Sequence, residues 1–179
     1  GVVGMGSIGK EVVKRVSLLG SKVIGYGRTW NEEFASTYDV DRKTIQEIFK
    51  ESDIISIHLP LTSETKEFID KNLIDMSKSN ALVINTSRAG VIDNSALAEA
   101  IRMKAIGGAA LDVFDEERDP YPYGSLENVI LTPHIGSHTL ETRKAMEEMA
   151  AKNLVIYDSL STGNESSETS DYITRHSVI

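Results

Sequence analysis

The chain has no cysteine, which excludes a disulfide framework, a thiolate metal site and a cysteine nucleophile, and fits a reducing, cytoplasmic setting. Any redox chemistry must therefore come from a bound group. Basic residues are outnumbered: 19 Lys and Arg stand against 27 Asp and Glu, a formal net charge of -8, and nowhere do the cations form a run. Phosphate backbones are held by clustered Lys and Arg, so no nucleic-acid partner is expected. No stretch approaches the roughly 18 consecutive apolar residues of a membrane span, and no charged-then-apolar leader is seen, so no membrane partner is expected either. His, Asp and Glu nowhere show metal-ligand spacing, and neither a G-x-S-x-G elbow nor a Ser-His-Asp order occurs.

What remains is 179 residues, 40% hydrophobic, enough for one domain with an appendage. Short apolar runs recur at Val2-Val3, Lys22 to Tyr26, Asp53 to Leu59, Ala81 to Asn85, Gly108 to Val113 and Val129 to Leu131. Amphipathic segments separate them, the pattern of parallel strands joined by crossover helices, and the expected fold is α/β with a doubly wound parallel sheet. Between the first two runs, Ile8, Val12, Val13, Val16 and Leu19 recur at helical steps, and Gly20 stands where a helix cap belongs. Further helices are expected over Thr44 to Phe49, over Lys71 to Met76, and from near Asn94 with Ala96, Leu97, Ala100 and Ile101. A long helix is expected over about Thr139 to Leu160, with Met146, Met149, Ala150, Asn153, Leu154 and Tyr157 along one side. From Ser161 to Asp171 there is no apolar side chain, so 161–179 reads as a polar tail or linker. Gly1 already lies inside an apolar run, and we expect the chain to start part-way into a larger protein.

Gly4-Met5-Gly6-Ser7-Ile8-Gly9 follows an apolar run and opens an amphipathic segment. In that context a G-x-G-x-x-G turn points to a dinucleotide, because its glycines allow a tight turn and close backbone approach while the helix start offers free N–H groups to a pyrophosphate. The carboxylate expected about 20 residues on, for an adenosine ribose, is missing. Gly27-Arg28-Thr29 stands there instead, with Arg28 nineteen positions after Gly9. A guanidinium matches a 2′-phosphate that a carboxylate would repel, so NADP(H) is expected, with NAD(H) as second choice. The plainer alternative is a solvated arginine beside a turn.

Three further segments carry ionisable residues at strand ends: Asn85-Thr86-Ser87-Arg88, Leu111-Asp112-Val113-Phe114-Asp115-Glu116-Glu117, and Leu131-Thr132-Pro133-His134-Ile135-Gly136. Together with GMGSIG, SIHLPLTSETKEFI and LVINTSRAGVID, with GGAALDVFDEE and ENVILTPHIGS, they make the chain from Gly1 to about Leu160 resemble the nucleotide-binding domain of the D-isomer-specific 2-hydroxyacid dehydrogenases. That family includes glyoxylate and hydroxypyruvate reductases. The resemblance implies Arg88 as the substrate anchor, Glu117 as the acidic partner and His134 as the acid-base residue. It also implies Asp112 near the nicotinamide carboxamide and Thr86 and Ser87 in the nicotinamide pocket, and sets Gly136 among the cofactor-binding residues. His58 and Pro60 resemble positions on the adenine side of the cleft, with simple packing as the alternative. In such an enzyme 1–160 would be the cofactor domain, a substrate domain would lie outside this chain, and a homodimer would form through this domain.

This division of labour makes chemical sense for a small 2-keto or 2-hydroxy acid: NAD(P)H supplies a hydride, His134 a proton and Arg88 a cation for the carboxylate. A carboxylate such as Glu117 beside the imidazole favours its charged form and fixes its orientation. Each residue also has a duller reading: His134 a strand-end histidine, Arg88 a solubilising cation, Glu117 one of four charges in Asp115-Glu116-Glu117-Arg118. Glu116 competes with Glu117, which ungapped matching to the family pattern prefers; Arg118 departs from the family's usual proline. Two rivals remain, a nucleotide-sensing regulator like the C-terminal binding protein co-repressors and a Rossmann domain serving some other dehydrogenase.

Overall fold

A computed structural model describes residues 1–114 and 122–161, with the side chains of 159–161 outside that description. The chain divides after Ile135 into two compact units. In the first, the described strands β1 (Val2–Val3), β2 (Val23–Tyr26), β3 (Val40–Arg42), β4 (Ile54–Ile57), β5 (Leu82–Asn85), β6 (Gly108–Leu111) and β7 (Val129–Leu131) form one seven-stranded sheet. Its order is β3-β2-β1-β4-β5-β6-β7 with every pairing parallel. The sequence order reverses between β1 and β4, which opens a crevice beyond the carboxyl ends of those strands, where ligands of doubly wound sheets sit.

Six of the strands coincide with the apolar runs of the sequence; β3 and the short helix before it, α2 (Glu32–Thr37), were not expected. Only Val40 of β3 is buried, so three residues at a sheet edge carried too little apolar signal. The remaining crossovers run through α1 (Ser7–Leu18), α3 (Ile45–Glu51), α4 (Lys71–Ile74) and α5 (Asn94–Arg102). Helix α3 starts in a capping box, with the Thr44 hydroxyl accepting from the Glu47 N–H and Glu47 accepting from the Thr44 N–H. Helix α1 ends in a Schellman motif, the Gly20 N–H donating to Ser17 O at 2.9 Å and the Ser21 N–H to Val16 O at 3.2 Å. The cap forms where the sequence set it.

Ile48, Phe49, Ile55, Ile57, Leu97 and Leu111 are fully buried between the sheet and its helices. Burial of each aliphatic chain stabilises the fold by about 1.5–3 kcal/mol. A smaller cluster of Val2, Met5, Val13, Val23, Ala35 and Val40 packs α1 and α2 onto the β1 side. Two members of the expected α1 stripe depart from it: Ile8 is 65% and Leu19 82% exposed. Ile8 lies in the first helical turn, just after the glycine loop, and Leu19 is already the helix cap, so neither faces the sheet. The second unit contains α6 (Leu140–Ser161), whose Met146, Met149, Leu154 and Tyr157 are exposed. The expected tail beyond residue 161 lies outside the described residues. No described helix is long and apolar enough to cross a membrane.

Candidate active site at the carboxyl edge of the sheet

The glycine turn has three distinct stereochemical needs. Gly4 sits at φ +100°, and a Cβ there would lie 2.5 Å from the His58 carbonyl oxygen, so this turn admits no side chain. A Cβ on Gly9 would run into the Gly4 carbonyl oxygen; the missing side chain lets α1 pack against its own entry strand. Gly6 differs from both, because a Cβ there would meet nothing within 4 Å. Gly6 is also the N-cap of α1, with no side-chain cap and no acidic residue in the first turn, which contains Ser7 and Ile8. By contrast, Asn31, Thr44, Asp70 and Asp93 cap α2 to α5 with side-chain oxygens. The start of α1 thus keeps unpaired N–H groups beside open space bordered by bare backbone, a cradle that fits a pyrophosphate.

That turn borders a cavity of about 400 Å³ lined by Gly4, Met5 and Gly6 from the β1 end, Gly27, Arg28 and Thr29 from the β2 end, and His58 and Pro60 from the β4 end. Tyr26 and Phe68 stack at 6.0 Å between centroids and give it an apolar wall. The Arg42 guanidinium lies 5.4 Å over the Trp30 ring and reaches the Gly27 carbonyl at 3.5 Å, bracing the β2 turn from the neighbouring strand. Arg28 is the cation at the cavity's mouth, its side chain 90% exposed and 3.3 Å from Glu64. His58 Nε2 and Ser56 Oγ lie 2.9 Å apart, and burial pushes the imidazole below its ordinary pKa of 6.5, favouring the neutral ring. Glu64, Thr62 and Thr65 line the same cavity; they lie within the SIHLPLTSETKEFI motif, but the sequence did not single them out as site residues.

Further along the same edge, β5, β6 and β7 lie side by side, with Asn85 level with Leu111 and Leu111 level with Leu131. Their extensions are stitched together: the Asp112 N–H donates to Asn85 O at 3.0 Å, and the His134 N–H donates to Asp112 O at 3.0 Å. Asn85, fully buried, shapes the β5 turn. Its Oδ1 accepts from the Ser87 N–H at 2.9 Å and hydroxyl at 2.7 Å, and its Nδ2 donates to Arg88 O at 3.0 Å. Thr86, Ser87 and Arg88 are therefore presented by one folded loop that continues into a single 3-10 turn, Ala89–Val91.

The carboxylate of Asp112, 7% exposed, accepts from Thr132 Oγ1 at 2.6 Å and from the Ile135 N–H at 2.9 Å. These bonds fix the loop after β7 on both sides of His134, whose φ of +52° is a left-handed conformation uncommon outside glycine. Strain of this kind persists only where its surroundings hold it, and it concentrates at working sites. Asn85 and Thr132 organise this edge, yet only a buried asparagine at a strand end and a hydroxyl two residues before a histidine signalled them. Glu117 and its competitor Glu116 lie outside the described residues, and Gly136 belongs to the second unit. Among the described residues no His, Asp and Glu cluster could hold a metal ion.

A parallel sheet in the order 3-2-1-4-5-6-7, a three-glycine turn at its switch point and polar residues gathered beyond its carboxyl ends define a Rossmann-type nucleotide-binding domain. Residues 1–136 match the family model described as D-isomer specific 2-hydroxyacid dehydrogenase, NAD binding domain, and the chain belongs to that family. It is 44% identical over 160 residues to the glyoxylate reductase of Thermococcus litoralis, covering 88% of this chain and 48% of that protein. With the glyoxylate reductase of Aeropyrum pernix it shares 39% identity over 159 residues, again 88% of this chain and 48% of that one. The D-lactate dehydrogenase of Lactobacillus jensenii, solved with NAD⁺, superposes with a TM-score of 0.81 at 29% identity, covering 93% of this chain and 53% of that one. The chain thus spans about half the length of these relatives.

Proposed function

We propose that the chain is the cofactor domain of an oxidoreductase that interconverts a small 2-keto acid and its D-2-hydroxy acid, with glyoxylate or hydroxypyruvate the first substrates to test. The observation that carries this reading is the stitched row of strand ends, with Arg88, Asp112 and His134 in the segments that follow the neighbouring strands β5, β6 and β7. When bound, NAD(P)H supplies the hydride.

The chain's own residues do the rest. The amide groups at the start of α1, around Gly6, Ser7 and Ile8, hold the pyrophosphate, while His58 and Pro60 wall the adenosine side. Thr86, Ser87 and Asp112 border the nicotinamide, and Gly136 is assigned to cofactor binding on the family resemblance alone. Arg88 anchors the substrate carboxylate with its planar fork of donors. His134 delivers a proton to the carbonyl oxygen, or removes one from the hydroxyl in reverse, and Glu117 orients its ring.

Residues 1–160 would form the cofactor domain and 161–179 a polar tail. A second domain outside this chain would cover the cleft and exclude water, and two copies would pair through this domain. The cofactor assigned is NADP(H), with NAD(H) weaker. Supporting it are Arg28 and Thr29 at the mouth of the cavity and the lack of a carboxylate at the end of β2. Removing Arg28 should weaken NADPH binding about tenfold and leave NADH nearly unchanged, the scale of one exposed charged hydrogen bond. Equal losses for both nucleotides would reverse the cofactor assignment.

The activity is tested by NADPH oxidation with glyoxylate or hydroxypyruvate in the whole protein. Turnover should fall by at least about 100-fold in His134→Ala, as expected for loss of a general acid, while nucleotide affinity holds. Dinucleotide-dependent assembly without turnover would instead favour a sensing regulator.

A further inference from the structure

The β4 loop brings a carboxylate to the side of the cavity where the β2 end has none. Glu64 follows Pro60 in a tight turn: the Thr65 hydroxyl donates to Pro60 O at 2.5 Å and accepts from the Thr62 N–H at 2.8 Å, and the Glu64 N–H donates to the Thr62 hydroxyl at 3.3 Å. The turn holds Glu64 at the rim, its Oε2 3.3 Å from Arg28 Nη1, with both side chains lining the same cavity. The two residues are 36 positions apart in the chain and come from strands on either side of β1.

We propose that Glu64 sets how strongly this site discriminates between a phosphorylated and an unphosphorylated adenosine ribose, by engaging Arg28 in the free protein and by placing a negative charge next to the guanidinium that a 2′-phosphate needs. The inference rests on the reading of Arg28 as the phosphate-facing cation.

Two effects act in the same direction. The ion pair must open before Arg28 can serve a phosphate; at 90% and 76% exposure of its two side chains, that opening costs little. The larger effect is repulsion. A carboxylate and a dianionic phosphate sharing one guanidinium repel each other, less in salt because both are exposed to solvent. An unphosphorylated ribose meets no such repulsion and leaves the pair intact. Arg28 pulls the preference towards NADPH and Glu64 pulls it back towards NADH. The site's selectivity is then a balance set by two loops rather than by the β2 end alone.

The test is isothermal titration of the full chain with NADPH and with NADH, at low salt and at about 0.5 M NaCl, a direct binding readout independent of turnover. Glu64→Gln keeps the shape and removes the charge of an exposed side chain, so its fold is safe. It should tighten NADPH binding about three- to fivefold at low salt, change NADH less than about 1.5-fold, and lose most of the gain in high salt. In an Arg28→Ala background the carboxylate still faces the phosphate, so the same change should keep most of its gain and lose only the small part that came from freeing the guanidinium. Unchanged or weaker NADPH binding in Glu64→Gln, while Arg28→Ala still loses NADPH affinity, overturns the role of Glu64 and leaves the cofactor reading standing. An Arg28→Ala variant that binds NADPH normally overturns both.

Discussion

Thr132, Asp112 and His134 show how a single buried carboxylate can hold the loop around a proposed acid-base residue. Asp112 accepts from the Thr132 hydroxyl and from the Ile135 N–H, and these bonds pin the loop on either side of His134. Thr132→Val removes one of them and leaves a buried charged oxygen less well satisfied, so the unfolding free energy should fall by about 1–3 kcal/mol in urea melts. An unchanged midpoint would show that the loop is held by other means. His58 offers a second prediction. Its folded pKa is depressed by burial below 6.5, so the unfolded chain takes up a proton that the folded one resists. Stability from neutral His58 is complete above about pH 6.5 and is lost as the pH falls below it. His58→Gln should therefore flatten the decline in unfolding free energy between about pH 7 and pH 5; a decline as steep as the parent's would contradict this.

At the scale of elements, the β1–α1 turn separates folding from binding. Gly9→Ala forces a methyl group onto the Gly4 carbonyl and should cost about 1–3 kcal/mol of stability as well as nucleotide affinity. Gly6→Ala meets no protein atom, so thermal melts should stay close to the parent while NADPH affinity falls at least about tenfold through the methyl group's intrusion on the phosphate cradle. Equal damage from both changes would remove the distinction.

The glycine turn was legible in the sequence because its requirement is local: strand, glycines and helix are contiguous. For the same reason Arg88, Asp112 and His134 could be placed near strand ends, since Asp112 lies within an apolar run and Arg88 and His134 come three residues after one. Glu64 and Thr132 were not legible, because their meaning comes from partners contributed by other strands: Thr132 is 20 residues from Asp112 and Glu64 is 36 from Arg28. The side-chain partners of Asn85, which are Ser87 and Arg88, are local, but an asparagine at the end of an apolar run does not announce that it folds the loop after it. Ile8 was read as part of a buried stripe from helical period alone, which takes no account of where the sheet ends. Strand β3 and helix α2 escaped notice because only Val40 in the one and Ala35 in the other are buried, too short a record for either period to register.

For the whole molecule, the sheet is a rigid shelf whose strand order decides which loops meet. Pairing β5, β6 and β7 in sequence puts the proposed substrate-handling residues on one stretch of its edge, and the reversal at β1 and β4 puts the nucleotide cradle on another. Ligand binding to such a preformed crevice should stabilise the fold by mass action, about 2.7 kcal/mol at a hundredfold excess over Kd. NADPH should accordingly raise the melting temperature more than NADH at equal concentration, and the opposite order would count against the Arg28 assignment.

The most direct measurement of the central claim is a crystal structure of the whole protein with NADP⁺ and oxalate, an unreactive stand-in for glyoxylate. The oxalate carboxylate should lie on the Arg88 guanidinium, with the His134 imidazole within hydrogen-bond reach of its other oxygens beside the nicotinamide. Oxalate bound with neither residue, or a nicotinamide pointing away from the ends of β5, β6 and β7, would contradict it.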